Sequence, residues 1–167
     1  MKRIQLVTAA VMLLANAASA QDKANQEFLT KAIQGNYAEV QMGQLAETNG
    51  QSGQVKTYGE MLKTDHGDAN KKAIEAAKSM GVTPPTEPSA KQKADYVEMA
   101  KLKGPSFDKK FSEHMVMDHK NDIEEYQTAA KKQDAAGKYA SDALPTLQKH
   151  LQRALVLQKD TGTTGSH

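Results

Sequence analysis

The chain has 167 residues, with 22 basic, 20 acidic and 5 histidine side chains and neither cysteine nor tryptophan. That length supports one domain with its own core, and the lack of cysteine excludes disulfides and thiolate metal ligands. Lys2 and Arg3 account for the whole basic excess, so no basic stripe is left for phosphates and nucleic acid is excluded as a partner class.

The first expected element, residues 1–20, is a cleavable leader. Lys2 and Arg3 open it, Ile4 to Ala15 is nearly unbroken apolar, and Ala18-Ser19-Ala20 fits the small-x-small rule of signal peptidase. The apolar run is short for a bilayer anchor, and no later segment is apolar enough to span. The expectation is an exported, periplasmic protein starting at Gln21, with a bundle over 21–160 and a polar, disordered tail over 161–167.

Helical periodicity then appears four times. A first helix is expected from Asn25 to Thr48, stopped by Asn49-Gly50, and a second from Ser52 to Met80, stopped by Gly81. The proline-rich stretch from Val82 to Pro88 breaks the pattern. Ser89 caps a short helix to Lys103, closed by Gly104-Pro105. A third long helix is expected from Ser106 to Gln133 and a fourth from Lys138 to Lys159, where Pro145 marks either a kink or the true first turn. No stretch alternates with period two. The fold class is all-α: a four-helix bundle with an extra short helix in the connection between helices two and three, a link long enough for a crossover.

An aromatic-x-Glu-x-x-x-x-Asp-His pattern occurs twice, as Tyr58 to His66 and as Phe111 to His119, and suggests a duplicated helical hairpin. On a helical wheel of about 100° per residue, Asp118, His119 and Asp122 fall on the apolar face of Phe107, Phe111, Met115, Tyr126 and Ala129. Ionisable groups in such a stripe are rarely buried unless paired or metal-bound. Asp65 and His66 flank the stripe of helix two. Glu39 sits among Phe28, Ala32, Gly35, Gly43 and Ala46 in helix one, where the small residues allow close approach. His150 falls at the edge of the Leu147, Leu151 and Ala154 face and reads as partly exposed.

At about 1.5 Å per residue, Glu39, His66, His119 and His150 stand at similar depth, one per helix. Bundles build metal sites in this way. Imidazole with carboxylate suits zinc, iron, manganese or copper, and Asp65, Asp118 and Asp122 serve as direct or orienting ligands. The competing reading is a polar layer, hydrogen-bonded to Tyr37, Tyr58 or Tyr126, that fixes helix register and binds nothing. No Cys, G-x-S-x-G or phosphate loop supports catalysis, so a non-enzymatic role is expected. The alternative to metal handling is an envelope interaction or protective module; no protein partner is legible.

Phe28, Gly35, Glu39, Gly43, Val55-Lys56, Met61 and Asp65-His66 form a recognisable series. It continues through Gly81-Val82, Gly104 to Asp108, Asp118-His119 and Leu144-Pro145-Thr146-Leu147 before His150-Leu151. With this series the chain resembles the exported bacterial domain-of-unknown-function family 4142, placed in the ferritin-like superfamily. The resemblance implies a ferritin-like four-helix bundle in the periplasm or envelope and no established activity. Di-iron members of that superfamily carry Glu-x-x-His on two helices. Here Lys63, Val116 and Leu147 precede the three histidines by three places, so ferroxidase or iron storage is disfavoured.

Overall fold

In the computed structural model, the backbone is described for residues 4–163 and side chains for 23–162. Five helices follow in chain order: α1 (Ile4–Asn49), α2 (Gly53–Ser79), α3 (Ala90–Ala100), α4 (Gly104–Ala129) and α5 (Ala135–Thr163). There is no strand among the described residues, and the protein is an all-α helical bundle. The side chains of residues 1–20, the expected leader, lie outside the described residues, and the backbone from Ile4 onward belongs to α1. Of the expected tail, 161–163 belongs to α5 and 164–167 lies outside the description.

Local chemistry sets most of the helix ends. Ser52 caps α2, its side chain accepting from the Val55 N–H. The buried carboxylate of Asp108 accepts from the Gln51 and Ser52 N–H groups, each at 2.9 Å, which ties the start of α2 to α4. At the other end Gly81 takes φ 70°, its N–H bonds to the Lys78 carbonyl and the Val82 N–H to the Ala77 carbonyl. That double closure needs a residue at home in the left-handed region, which glycine supplies. Ser89 and Gln92 form a reciprocal capping box on α3.

Several boundaries differ from the sequence reading: α1 starts at Ile4 rather than Asn25, α4 at Gly104 rather than Ser106, and α5 ends at Thr163 rather than Lys159. The short helix ends at Ala100 rather than Lys103, and α4 ends at Ala129 rather than Gln133. The last helix starts at Ala135 rather than Lys138, because Asp134 caps it. The Asp134 side chain accepts from Gly137 N–H and its carbonyl from Lys138 N–H, both at 2.9 Å. Gly137 therefore lies in the first turn, not in the loop. Pro145 is interior to α5. It and Ser141 are both exposed, so the carbonyl that loses its partner to the proline ring sits on the solvent side.

The core consists of two apolar compartments. One contains Phe28, Leu29, Ile33, Ala73, Ala77, Tyr126, Tyr139 and Leu147. The other contains Met42, Leu45, Val55, Leu62, Phe107, Phe111, Met115 and Leu157. Reading each helix from one compartment to the other fixes the directions: α1 and α5 run one way, α2 and α4 the other. The α1/α2 and α4/α5 pairs are thus antiparallel hairpins, with the tightest packing inside each hairpin. The segment through α3 returns the chain along the length of the bundle, as a crossover must. In the α1/α2 hairpin, Gly43 and Gly59 lie backbone to backbone. A Cβ on Gly43 would stand 2.5 Å from the Gly59 carbonyl oxygen.

The repeat does not correspond to a duplicated hairpin, because its copies occupy the second helix of one hairpin and the first of the other. They lie on α2 and α4, which run parallel, and equivalent residues meet. The rings of Tyr58 and Phe111 are 6.0 Å apart, and those of His66 and His119 are 5.7 Å apart. The symmetry is two-fold about the bundle axis.

Candidate metal centre

Between the two compartments lies a polar belt to which every long helix contributes: Asn36 and Glu39 from α1, His66 and Asn70 from α2, His119 from α4 and His150 from α5, all buried. His119 and His150 are 0% exposed, His66 is 3% and Glu39 is 2%. The edge position that the wheel assigns to His150 is corrected here. α5 packs against both α4 and α2, so its buried face is wider than a single apolar stripe and takes in His150.

One nitrogen from each of His66, His119 and His150 lies within 4.8 Å of the other two. The remaining ring nitrogens are engaged. His119 Nδ1 stands 3.0 Å from the Met115 carbonyl, which only accepts, so that nitrogen carries the proton. His150 Nε2 donates to Asp65 Oδ2 at 2.8 Å. His66 Nδ1 donates to Asn36 Oδ1 at 2.9 Å, and the Asn36 amide nitrogen donates to the Tyr139 hydroxyl at 3.0 Å. Tyr139 in turn touches the Tyr126 hydroxyl at 3.2 Å.

Burial holds all three rings neutral. It lowers His119 to about 3, reinforced by His150. It also depresses His66, with His119 and His150 adding to the effect, and depresses His150 against the pull of Asp65. A neutral imidazole has one proton, and each is already committed outward. Three lone pairs therefore remain: His66 Nε2, His119 Nε2 and His150 Nδ1. His66 Nε2 is buried without a partner. His119 Nε2 and His150 Nδ1 face each other at 3.3 Å with no proton between them.

The carboxylates divide. Asp65 orients His150. Glu39 meets α4, where burial raises its pKa well above the usual range, aided by Asp118 and Asp122 and by a hydrogen bond with Asp118. Its other oxygen, Oε2, is buried and unpartnered. Burial and Asp118 push Asp122 up to about 7. The two-fold relation explains the division: Asp65 of α2 pairs with His150 of α5, and Asp118 of α4 pairs with Glu39 of α1. The seven sequence candidates thus form two adjoining groups, the histidines with Asp65 and the three carboxyls between α1 and α4.

Among the tyrosines suggested as belt partners, Tyr58 donates to the His150 carbonyl at 3.1 Å and Tyr126 reaches the belt only through Tyr139. The sequence reading overlooked Asn36 and Tyr139. Asn36 was detectable, because it lies four residues after Ala32 and three before Glu39 on one helical face.

A cleft of about 560 Å3 opens between α2 and α5 and ends on Asn36, His66, Tyr139 and His150. Its mouth carries Asp68, Glu75 and Asp142 with Lys72 and Lys138. No helix among the described residues is long and apolar enough to cross a membrane.

No curated protein and no solved structure matches the chain. The family described as Domain of unknown function (DUF4142) matches over residues 11–157. With that span reaching into all four long helices and covering every candidate ligand, the chain belongs to this family.

Proposed function

We propose that the protein is an exported, periplasmic bundle of ferritin-like type that binds one transition-metal ion through His66, His119 and His150, and that it serves metal handling or envelope stress protection rather than turnover. The observation that carries this reading is the convergence of three proton-free nitrogens. With metal–nitrogen bonds of about 2.0–2.1 Å, two donors on a tetrahedral ion stand about 3.3 Å apart, and His119 Nε2 and His150 Nδ1 have that separation. The orphaned His66 Nε2 supplies a third donor. Asp65 behind His150 is the carboxylate–histidine arrangement that fixes ring orientation at metal sites. Three neutral imidazoles suit zinc, copper or iron better than manganese. Glu39, Asp118 and Asp122 form the adjoining carboxylate group.

A second reading keeps the belt purely structural, as the register-fixing layer of a non-catalytic envelope module. It is favoured by the Asn36–Tyr139–Tyr126 chain, which satisfies its hydrogen bonds without any ion. Purification of the mature chain without a histidine tag, followed by metal analysis, separates the two. About one equivalent of ion, lost in the His66→Ala/His119→Ala double variant, supports the first reading. Metal-free protein that gains no thermal stability from any first-row divalent ion supports the second. Amino-terminal sequencing of the exported form tests the leader, the expected first residue being Gln21.

A further inference from the structure

Resting on the metal reading above, we infer that the bound ion keeps one coordination position open to the cleft between α2 and α5, and that a small uncharged nitrogen heterocycle of the imidazole class binds it there.

The donor set is the first reason. Among the described residues, only three side chains converge closely enough to share an ion, and four donors complete a tetrahedral site. The carboxylate bonded to the triad, Asp65, already holds the proton-bearing side of His150, which makes it an orienting group. Closed structural sites use four protein ligands, whereas three leave a position for an outside molecule.

The position of the cleft is the second. His66 and His150 form part of its floor, while His119 does not line it. The side of the triad away from His119 is therefore the side that the cleft reaches. A volume of about 560 Å3 is of the size that holds small molecules.

The walls choose the class of ligand. Asp65, Asp68, Glu75 and Asp142 outnumber Lys72 and Lys138, and Lys138 is itself tied to Asp142 at 2.7 Å. An anion entering this mouth meets an excess of negative charge, which focuses against it inside a concave surface. Tyr126, Tyr139 and Leu147 give the inner cleft flat and apolar surface suited to an aromatic ring. A neutral heterocycle meets both conditions and brings a lone pair for the ion.

The test uses the full chain loaded with cobalt(II), whose visible spectrum reports coordination. Added imidazole is expected to shift the bands saturably with the cobalt retained, at a midpoint at least about tenfold lower than that of azide. In Ala143→Trp, which fills the cleft wall, one equivalent of cobalt should remain while the imidazole response falls at least tenfold. Ala69→Phe, on the opposite wall, serves the same purpose if the first variant loses helicity. A spectrum indifferent to imidazole, a response unchanged in the folded plugged variant, tighter binding of azide, or cobalt stripped from the protein each overturns the open position. Failure to take up cobalt at all sinks the metal reading itself, and this inference with it.

Discussion

His119 Nε2 and His150 Nδ1 face each other at 3.3 Å, and the opposite nitrogen of each ring is spoken for, by the Met115 carbonyl and by Asp65. Two neutral imidazoles so held have no hydrogen to share. A positive centre in the space between the lone pairs would make the contact favourable.

His119→Leu should therefore remove metal binding while leaving the helices in place. The side chain is wholly buried, and a leucine of similar size needs no partner there. Circular dichroism should show native helicity, and isothermal titration should show affinity reduced by at least about 100-fold, more than the loss of an orienting group produces. Global unfolding instead would favour a belt that is structural only.

Asp65→Asn keeps the shape but removes the charge that holds His150 Nε2–H. The ring is then free to choose the other tautomer, with Nδ1 protonated and unable to bind an ion. A loss of about 10–100-fold in metal affinity is expected, with little change in the thermal stability of chelator-treated protein, since Asp65 is only half-buried. Equal loss of apo stability would contradict an orienting role.

The pH dependence of chelator-treated protein has two opposing parts. His119, lowered to about 3, is neutral in the fold and protonates in the unfolded chain near pH ~6.5. Its contribution is complete above that value and is lost as pH falls toward 3. Asp122, raised to about 7, behaves oppositely: its contribution is complete below the ordinary aspartate range of ~4 and is lost as pH rises through 7. Asp122→Asn should accordingly raise the melting temperature relative to native at pH 8 and much less at pH 4. His119→Leu should lose less stability than native between pH 7 and pH 4. Denaturant melts at these pH values check both signs.

Gly43→Ala reverses the usual effect of alanine in a helix. Added methyls normally stabilise by up to about 1 kcal/mol, but this one would stand 2.5 Å from the Gly59 carbonyl oxygen and force α1 from α2. A loss of about 1–3 kcal/mol is expected. Gly67→Ala, in α2 with nothing within 4 Å of the new carbon, should gain stability instead. Chemical denaturation of the pair measures the difference directly.

Much of the fold was legible because its signals are local. Apolar periodicity exposed the four long helices, and Gly81, Ser89 and Gly104 marked ends that depend on backbone chemistry close by. The boundary near Asp134 escaped because an aspartate followed three residues later by Gly137 reads equally as loop or cap. At the site, depth along the axis could be counted in residues, so the meeting of His66, His119 and His150 was readable. Direction around the axis could not. A wheel drawn for one helix has no knowledge of a second neighbour, which is why His150 looked peripheral and why Glu39 was grouped with imidazoles rather than with Asp118 and Asp122. The Asn36 contact depends on which of two hairpins faces which side chain, a fact set by the assembled bundle.

The placement of the three imidazoles also has a mechanical side. His66 belongs to the first hairpin, whereas His119 and His150 belong to the second. An ion gripped by all three would act as a rivet through the seam between the hairpins, at the level where oily contact gives way. Filled, the seam is pinned at its middle by the ion; empty, it is held there by the hydrogen bonds between Asp65 and His150, between Asn36 and Tyr139, and from Tyr58 to the His150 carbonyl.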